Sequence, residues 1–160
     1  AGVTTADRPV IAAALAKRDE TLEPATAIEL RDGTIVTGKT SILLGATSAM
    51  LLNALKTLAG IDDDVHLISP SVIEPVQHLK VEHLGNQNPR LHTDELLIAL
   101  SVCAVSSPEA EKAMDELANL RGCDAHSTVI LSPTDENLLK KLGINITYEP
   151  VYQTKKLYHK

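Results

Sequence analysis

Ser127-Thr128-Val129-Ile130-Leu131-Ser132-Pro133-Thr134-Asp135, followed after one helix length by Gly143-Ile144-Asn145-Ile146-Thr147-Tyr148-Glu149, is the stretch that decides the fold. The run from Ser127 to Leu131 is β-branched and apolar, the composition of a buried strand. Ser132-Pro133-Thr134-Asp135 is a helix start, with a capping serine, a proline in the first turn and an acid close behind. Gly143 ends that helix, and Asn145 to Glu149 reads as the next strand. A strand, a helix and a second strand in so short a span form a βαβ unit with a right-handed crossover.

Working toward the N-terminus, the same grammar repeats. Asp7 and Pro9 open a helix running to about Thr21, and Pro24 closes that region. Ala25 to Leu30 and Thr34 to Thr37 flank Arg31-Asp32-Gly33, the pattern of an Asp-Gly hairpin. A helix from Ala46 to Leu58 buries Met50, Leu51, Ala54, Leu55 and Leu58, and Gly60 stops it. Val65-His66-Leu67-Ile68 reads as a short buried strand, and Ser71 to His83 is mixed. His83 to His92 is a polar loop. Leu96 to Val105 is either a helix opened by Thr93, Asp94 and Glu95 or a central strand. Ser107-Pro108-Glu109 caps a helix to about Leu120. Strands alternating with helices predict an α/β domain, a three-layer α-β-α sandwich with a mixed sheet.

Composition narrows the function. The chain has 160 residues, no Phe, no Trp and three Tyr, so its core rests on aliphatic packing and offers few rings for stacking a base. Fifteen Lys and Arg against 21 Asp and Glu give a net charge of −6, which opposes non-specific binding to nucleic acid or an anionic membrane. The basic tail of Lys155, Lys156, His159 and Lys160 reads as a solubilising end. Cys103 lies in an apolar run and Cys123 is its only companion, so no disulfide framework is expected and a reducing compartment, the cytoplasm, is. No stretch has the apolar length of a membrane span. The chain opens on Ala1 rather than Met and is expected to be part of something longer.

Three clusters invite chemistry. Gly33-Thr34-Ile35-Val36-Thr37-Gly38-Lys39-Thr40 matches the phosphate-loop pattern letter for letter. Its interior is entirely β-branched, however, and favours extended backbone over a loop of inward-turned amides, so the match reads as the second strand of the hairpin. A weaker anion site survives at the helix starting near Ala46. Lys39, Thr40 and Ser41 precede it, Thr47 and Ser48 open it, and no acid competes for its dipole. Lys39, Thr40 and Ser48 are the residues that would hold a phosphate there, with plain capping by Thr47 or Ser48 as the alternative. Second, Cys123-x-x-His126 has ligand spacing, and His83, His92 and Asp94 extend it. No second pair anchors such a site, and no metal is expected. Third, His83, Asn86, Asn88, Arg90 and His92 crowd polar groups into ten residues, with His126 further on. His83, Arg90, His92 and His126 are the candidate catalytic residues, Arg90 as a clamp for carboxylate or phosphate.

The string Glu82-His83-Leu84-Gly85-Asn86-Gln87-Asn88-Pro89-Arg90-Leu91-His92, with Ala125-His126-Ser127-Thr128-Val129-Ile130-Leu131 and Leu142-Gly143-Ile144-Asn145-Ile146-Thr147, resembles the bacterial domain-of-unknown-function 1846 family. Gly2-Val3-Thr4-Thr5-Ala6-Asp7-Arg8 and Leu157-Tyr158-His159-Lys160 fit it at the two ends. The resemblance spans the whole chain and implies the C-terminal third of a protein of roughly five hundred residues. It implies no established activity, and it places the family's glycine-rich, phosphate-loop-like segment upstream. Some members carry the label ATP-dependent zinc protease, but no His-Glu-x-x-His is present here.

By analogy, the order of elements is similar to cytidine-deaminase-like domains. Where those hold zinc, this chain reads Leu44-Gly45-Ala46-Thr47 and Ser132-Pro133-Thr134-Asp135, so the layout comes without the zinc site. The leading expectation is a single domain over residues 1–160, with no cofactor of its own. It packs on or regulates an upstream nucleotide-binding-like region, and the loop from His83 to His92 with His126 is its contact surface. Two rivals remain: an inter-domain enzyme half-site, in which His83, Arg90, His92 and His126 converge on one pocket, and a phosphate or nucleotide binder at Lys39, Thr40 and Ser48. Whether the chain catalyses anything, and whether it self-associates, the sequence leaves open.

Overall fold

The Asp-Gly turn forms as its residues dictate in the computed structural model, which describes residues 8–151. Gly33 takes φ +91°, the left-handed region open to glycine. Its N–H donates to the Leu30 carbonyl at 2.9 Å, and Leu30 N–H to Thr34 at 2.8 Å. The turn joins β1 (Ala25–Glu29) to β2 (Ile35–Lys39). Asp7 and the basic tail lie outside the described residues.

β1 is the centre of the molecule. It pairs antiparallel with β2 on one side and with β3 (Asp124–Ser127) on the other, and β3 pairs parallel with β4 (Asn145–Tyr148), giving the order β2-β1-β3-β4. Alternation along β1 sends side chains to two different layers. Ala27 meets Val10 and Ala14 of α1 (Pro9–Thr21), a patch of small residues on one face. Ile28 points the other way, into the main core with Met50, Leu51 and Leu55 of α2 (Ala46–Ala59) and Leu96 and Leu100 of α4 (Thr93–Ala104). Ala110 of α5 (Pro108–Asp115) and Leu139 of α6 (Pro133–Lys141) complete that layer. The α/β class and the mixed sheet expected from the sequence are both present.

Gly38 explains itself by packing. It lies on β2 opposite Thr26, and a Cβ there would sit 2.1 Å from the Met50 amide nitrogen. The backbones of α2 and β2 approach too closely for any side chain. Residues 34–37 form the turn exit and strand rather than a phosphate loop, and the two glycines of the matched pattern serve a turn and a helix–sheet contact.

Several local expectations need correction. Val65 to Ile68 is no strand. Leu67 and Ile68 are buried in irregular chain ahead of α3 (Pro70–His78), since four apolar residues can fill a core without pairing. α3 runs into a π-helical turn, Leu79–His83. α5 ends at Asp115, and a 3-10 turn, Leu117–Leu120, carries the chain on. β3 ends at Ser127 instead of starting there. The Ser127 hydroxyl donates to the Val129 carbonyl at 2.7 Å and accepts from the Val129 amide at 3.2 Å, a local bend that draws the chain out of the sheet.

Two glycine substitutions separate these roles. Gly38→Ala is expected to destabilise by about 3 kcal/mol or more through overpacking, and Gly33→Ala by about 1 kcal/mol through its dihedral alone. Urea unfolding followed by far-ultraviolet circular dichroism reads both, and equal losses would contradict the assignment of Gly38 to the α2–β2 contact.

Candidate functional site

The loop ahead of α2 is knitted to the loop ahead of α4 by backbone. Leu44 and Leu91 form an isolated parallel bridge. Leu91 N–H donates to the Leu43 carbonyl at 3.0 Å, and the Leu91 carbonyl accepts the Ser48 hydroxyl at 2.9 Å. Arg90 Nε donates to the Ser41 carbonyl, and the Arg90 amide to Asn88 Oδ1 at 3.0 Å. Bonded in this way, residues 90–92 lie across the start of α2.

From below, Lys80 holds the same segment. The π-helical turn directs Lys80 inward until it is 2% exposed. Its Nζ donates to the Arg90 carbonyl at 2.6 Å and to Glu95 Oε1 at 2.8 Å. The same Glu95 oxygen accepts the His92 amide at 2.8 Å and so caps α4. One buried cation thereby couples the loop, the cap and the helix.

The result is a cavity of about 370 Å³ where the N-termini of α2, α4 and α6 meet, lined by residues 45–48, 88, 90–92, 129–133 and 135. The three helix ends differ. α4 carries Asp94 and Glu95 in its first turn, and α6 carries Asp135 and Glu136. Asp135 also crosses to α4, where its Oδ1 accepts the Thr93 amide at 3.0 Å and the Thr93 hydroxyl at 2.7 Å. α2 has no acid in its first turn and no side-chain cap. Thr47 Oγ1 is 3.1 Å from Thr26 Oγ1, and Ser48 Oγ is bonded to Leu91. The amides of Ala46, Thr47 and Ser48 therefore open α2 without an acceptor among the described residues. With Arg90 and His92 beside them, the arrangement can hold a negatively charged group.

The candidates from the sequence divide. Arg90, His92 and Ser48 line the cavity. His83 does not: it is exposed, with its ring 5.2 Å from that of His78. Lys39 is exposed on β2. Thr40 is buried with its hydroxyl unpartnered among the described residues, and neither of these two lines the cavity.

His126 lies on the other face of the sheet, opposite Ala27. Its Nδ1 is 2.7 Å from Thr147 Oγ1 and its Nε2 2.6 Å from Glu149 Oε2, while Arg8 donates to Thr147 Oγ1 at 2.8 Å. It is 3% exposed, so it does not join the loop 83–92 in one contact surface. Cys123 belongs to the main core, where burial pushes its thiol pKa up. A spacing of three residues across a strand places Cys123 and His126 on opposite faces. Among the described residues no group of three or more His, Cys, Asp or Glu could hold a metal ion, and no helix is long and apolar enough to cross a membrane.

Sequence reasoning missed Lys80, the cross-cap by Asp135 and the lining from residues 129–131. Asp135 and Thr93 are 42 positions apart, with no local signal to join them. Lys80→Met is expected to cost about 2 kcal/mol, because Glu95 loses its charged donor and the Arg90 carbonyl its partner. In a double-mutant cycle with Glu95→Gln by urea unfolding, the two losses should fall short of additive, and additivity would argue against the coupling.

Comparisons with known proteins fit a domain of this extent. A family model described as "Domain of unknown function DUF1846, C-terminal" matches residues 6–158. A UPF0371 protein of Corynebacterium urealyticum is 60% identical over 159 residues, covering 99% of this chain and 32% of its own length. Another from Corynebacterium efficiens is 60% identical over 100% of this chain, and one from Streptococcus thermophilus is 55% identical over 99%, each again at 32% of its own length. The chain thus spans about a third of the length of these relatives, and it belongs to the DUF1846 family as that family's C-terminal domain.

Proposed function

We propose that this domain supplies one half of an inter-domain site for a small anion, a phosphate or carboxylate. The observation that carries the reading is the start of α2, where three amides without acceptors among the described residues sit with Arg90 and His92 on one cavity. In this reading Arg90 is the clamp, the α2 dipole adds its field, and His92 lies beside them on the cavity wall. The remaining two thirds of the longer protein close the cavity. The two free thiols, Cys103 and Cys123, suit a reducing cytoplasm.

A second feature supports packing against that remainder. The outer side of α4 and the residue after it present Ile98, Val102 and Val105, 64%, 58% and 87% exposed and spaced at helical intervals. An apolar stripe of this kind suits a covered face.

Both parts are testable on the full-length protein. Titration calorimetry with inorganic phosphate should show binding that Arg90→Ala weakens by about 10- to 100-fold, the worth of a charge-assisted hydrogen bond. Equal affinity in the variant, or no binding to the intact protein, would end the anion reading. Val102→Asp should lower the melting temperature of the full-length protein and leave that of this domain alone unchanged. A loss confined to the domain would remove α4 from the interface.

A further inference from the structure

α4 is apolar all round, the composition of a helix covered on every side. From Leu96 to Pro108 the sequence carries no charged residue. The domain itself covers only part of that surface. Leu96, Ala99 and Leu100 are buried in the main core, while Ile98, Val102 and Val105 are exposed, with the small Ser101 exposed among them. Positions 98, 102 and 105 follow one helical row about 10 Å long. Charge gathers at the two ends of this row. Asp94 lies one turn before Ile98, and Glu109 and Glu111 open α5 just after Val105. Between Thr93 and Glu111 there is no Lys, Arg or His.

Resting on the packing part of the reading above, we infer that the occupant of this row is an amphipathic helix from the remaining two thirds of the same longer protein, apolar along its middle and carrying Lys or Arg about a turn beyond each end. Chain to supply it exists in the relatives, of whose length this domain spans 32%. A helix fits because side chains four and three positions apart form one ridge, and Ser101 lowers the surface beside Val102 so that a second backbone can approach. The basic ends follow from charge. A second copy of this domain would bring acids onto acids in either direction. A parallel pairing sets Asp94 against its own counterpart, and an antiparallel one sets it against Glu109, both repulsive. Lys or Arg at those places turns the same carboxylates into pairs that fix the register. Acids at both ends likewise oppose an anionic lipid surface.

Thiol labelling of the full-length protein tests this. Val105→Cys places a thiol at the most exposed point of the row. Its modification by N-ethylmaleimide is followed site by site by fragmentation mass spectrometry, in native and in urea-unfolded protein. The native site should react at least about tenfold more slowly than the unfolded one. It should stay as slow after about a hundredfold dilution, since a cover from the same chain does not depend on concentration. Adding Glu109→Lys and Glu111→Lys should speed native labelling by about threefold or more at low salt, an effect that fades as salt is added. Glu109→Gln with Glu111→Gln should act in the same direction to a lesser degree, and it decides the point if the reversal disturbs α5. Native labelling as fast as unfolded overturns the packing reading itself. Protection that disappears on dilution gives the face to a second copy and overturns the same-chain occupant. Protection that neither charge variant alters overturns the basic ends and leaves the packing standing.

Discussion

Leu91 is bound through its backbone on both sides, and the cavity depends on it. Its amide is held by Leu43 and its carbonyl by Ser48, so a loop with no regular structure becomes an extension of the helix start it crosses. Without these bonds, residues 90–92 would be a flexible surface segment, and Arg90 would have no defined relation to the α2 amides. The Leu91 side chain is fully buried in the main core. Polar backbone pairing and aliphatic packing thus fix the same residue, and Arg90 and His92 on either side of it are presented to the cavity.

The charges around that segment are arranged economically. Three helix ends meet, and each would favour an anion. Two are answered from within the chain, by Glu95 at α4 and by Asp135, which serves the start of α6 and also binds Thr93 of α4. Lys80 balances Glu95 from below, so that this acid is spent on structure. At α2 no described residue answers, and Thr47 and Ser48, the two side chains best suited to cap it, are engaged elsewhere. The unanswered end is therefore a product of where the neighbouring hydroxyls are committed.

Much of this frame was legible in the residues. The Asp-Gly hairpin, the α2 start without an acid, the Ser-Pro helix starts and the last strand, β4, follow from local chemistry, in which a turn, a cap or a β-branched run acts over a few positions. What failed to show depends on partners far away in sequence. Val65 to Ile68 has a strand's composition, but the edge of β2 is not where it packs. Ser127 to Leu131 has it too, and a single hydroxyl bend at Ser127 diverts it into the cavity wall. Lys80 in a mixed stretch gives no sign that a π-helical turn will bury it. His126 looked like a companion of His83 and His92 because all are polar and near loops, while strand parity sends it to the opposite face.

The contrast between the two polar clusters then separates structure from function. On the α1 side of the sheet, His126, Thr147, Glu149 and Arg8 satisfy one another, and both nitrogens of the His126 ring have partners within the domain. A cluster that closes on itself holds β3 against β4 and asks nothing of a ligand. In the cavity three amides at the start of α2 lack acceptors among the described residues. Buried polar groups in folded proteins are almost always paired. The closed cluster accounts for a fixed pair of strands, whereas the donors left over at the start of α2, beside Arg90, are what the anion reading rests on.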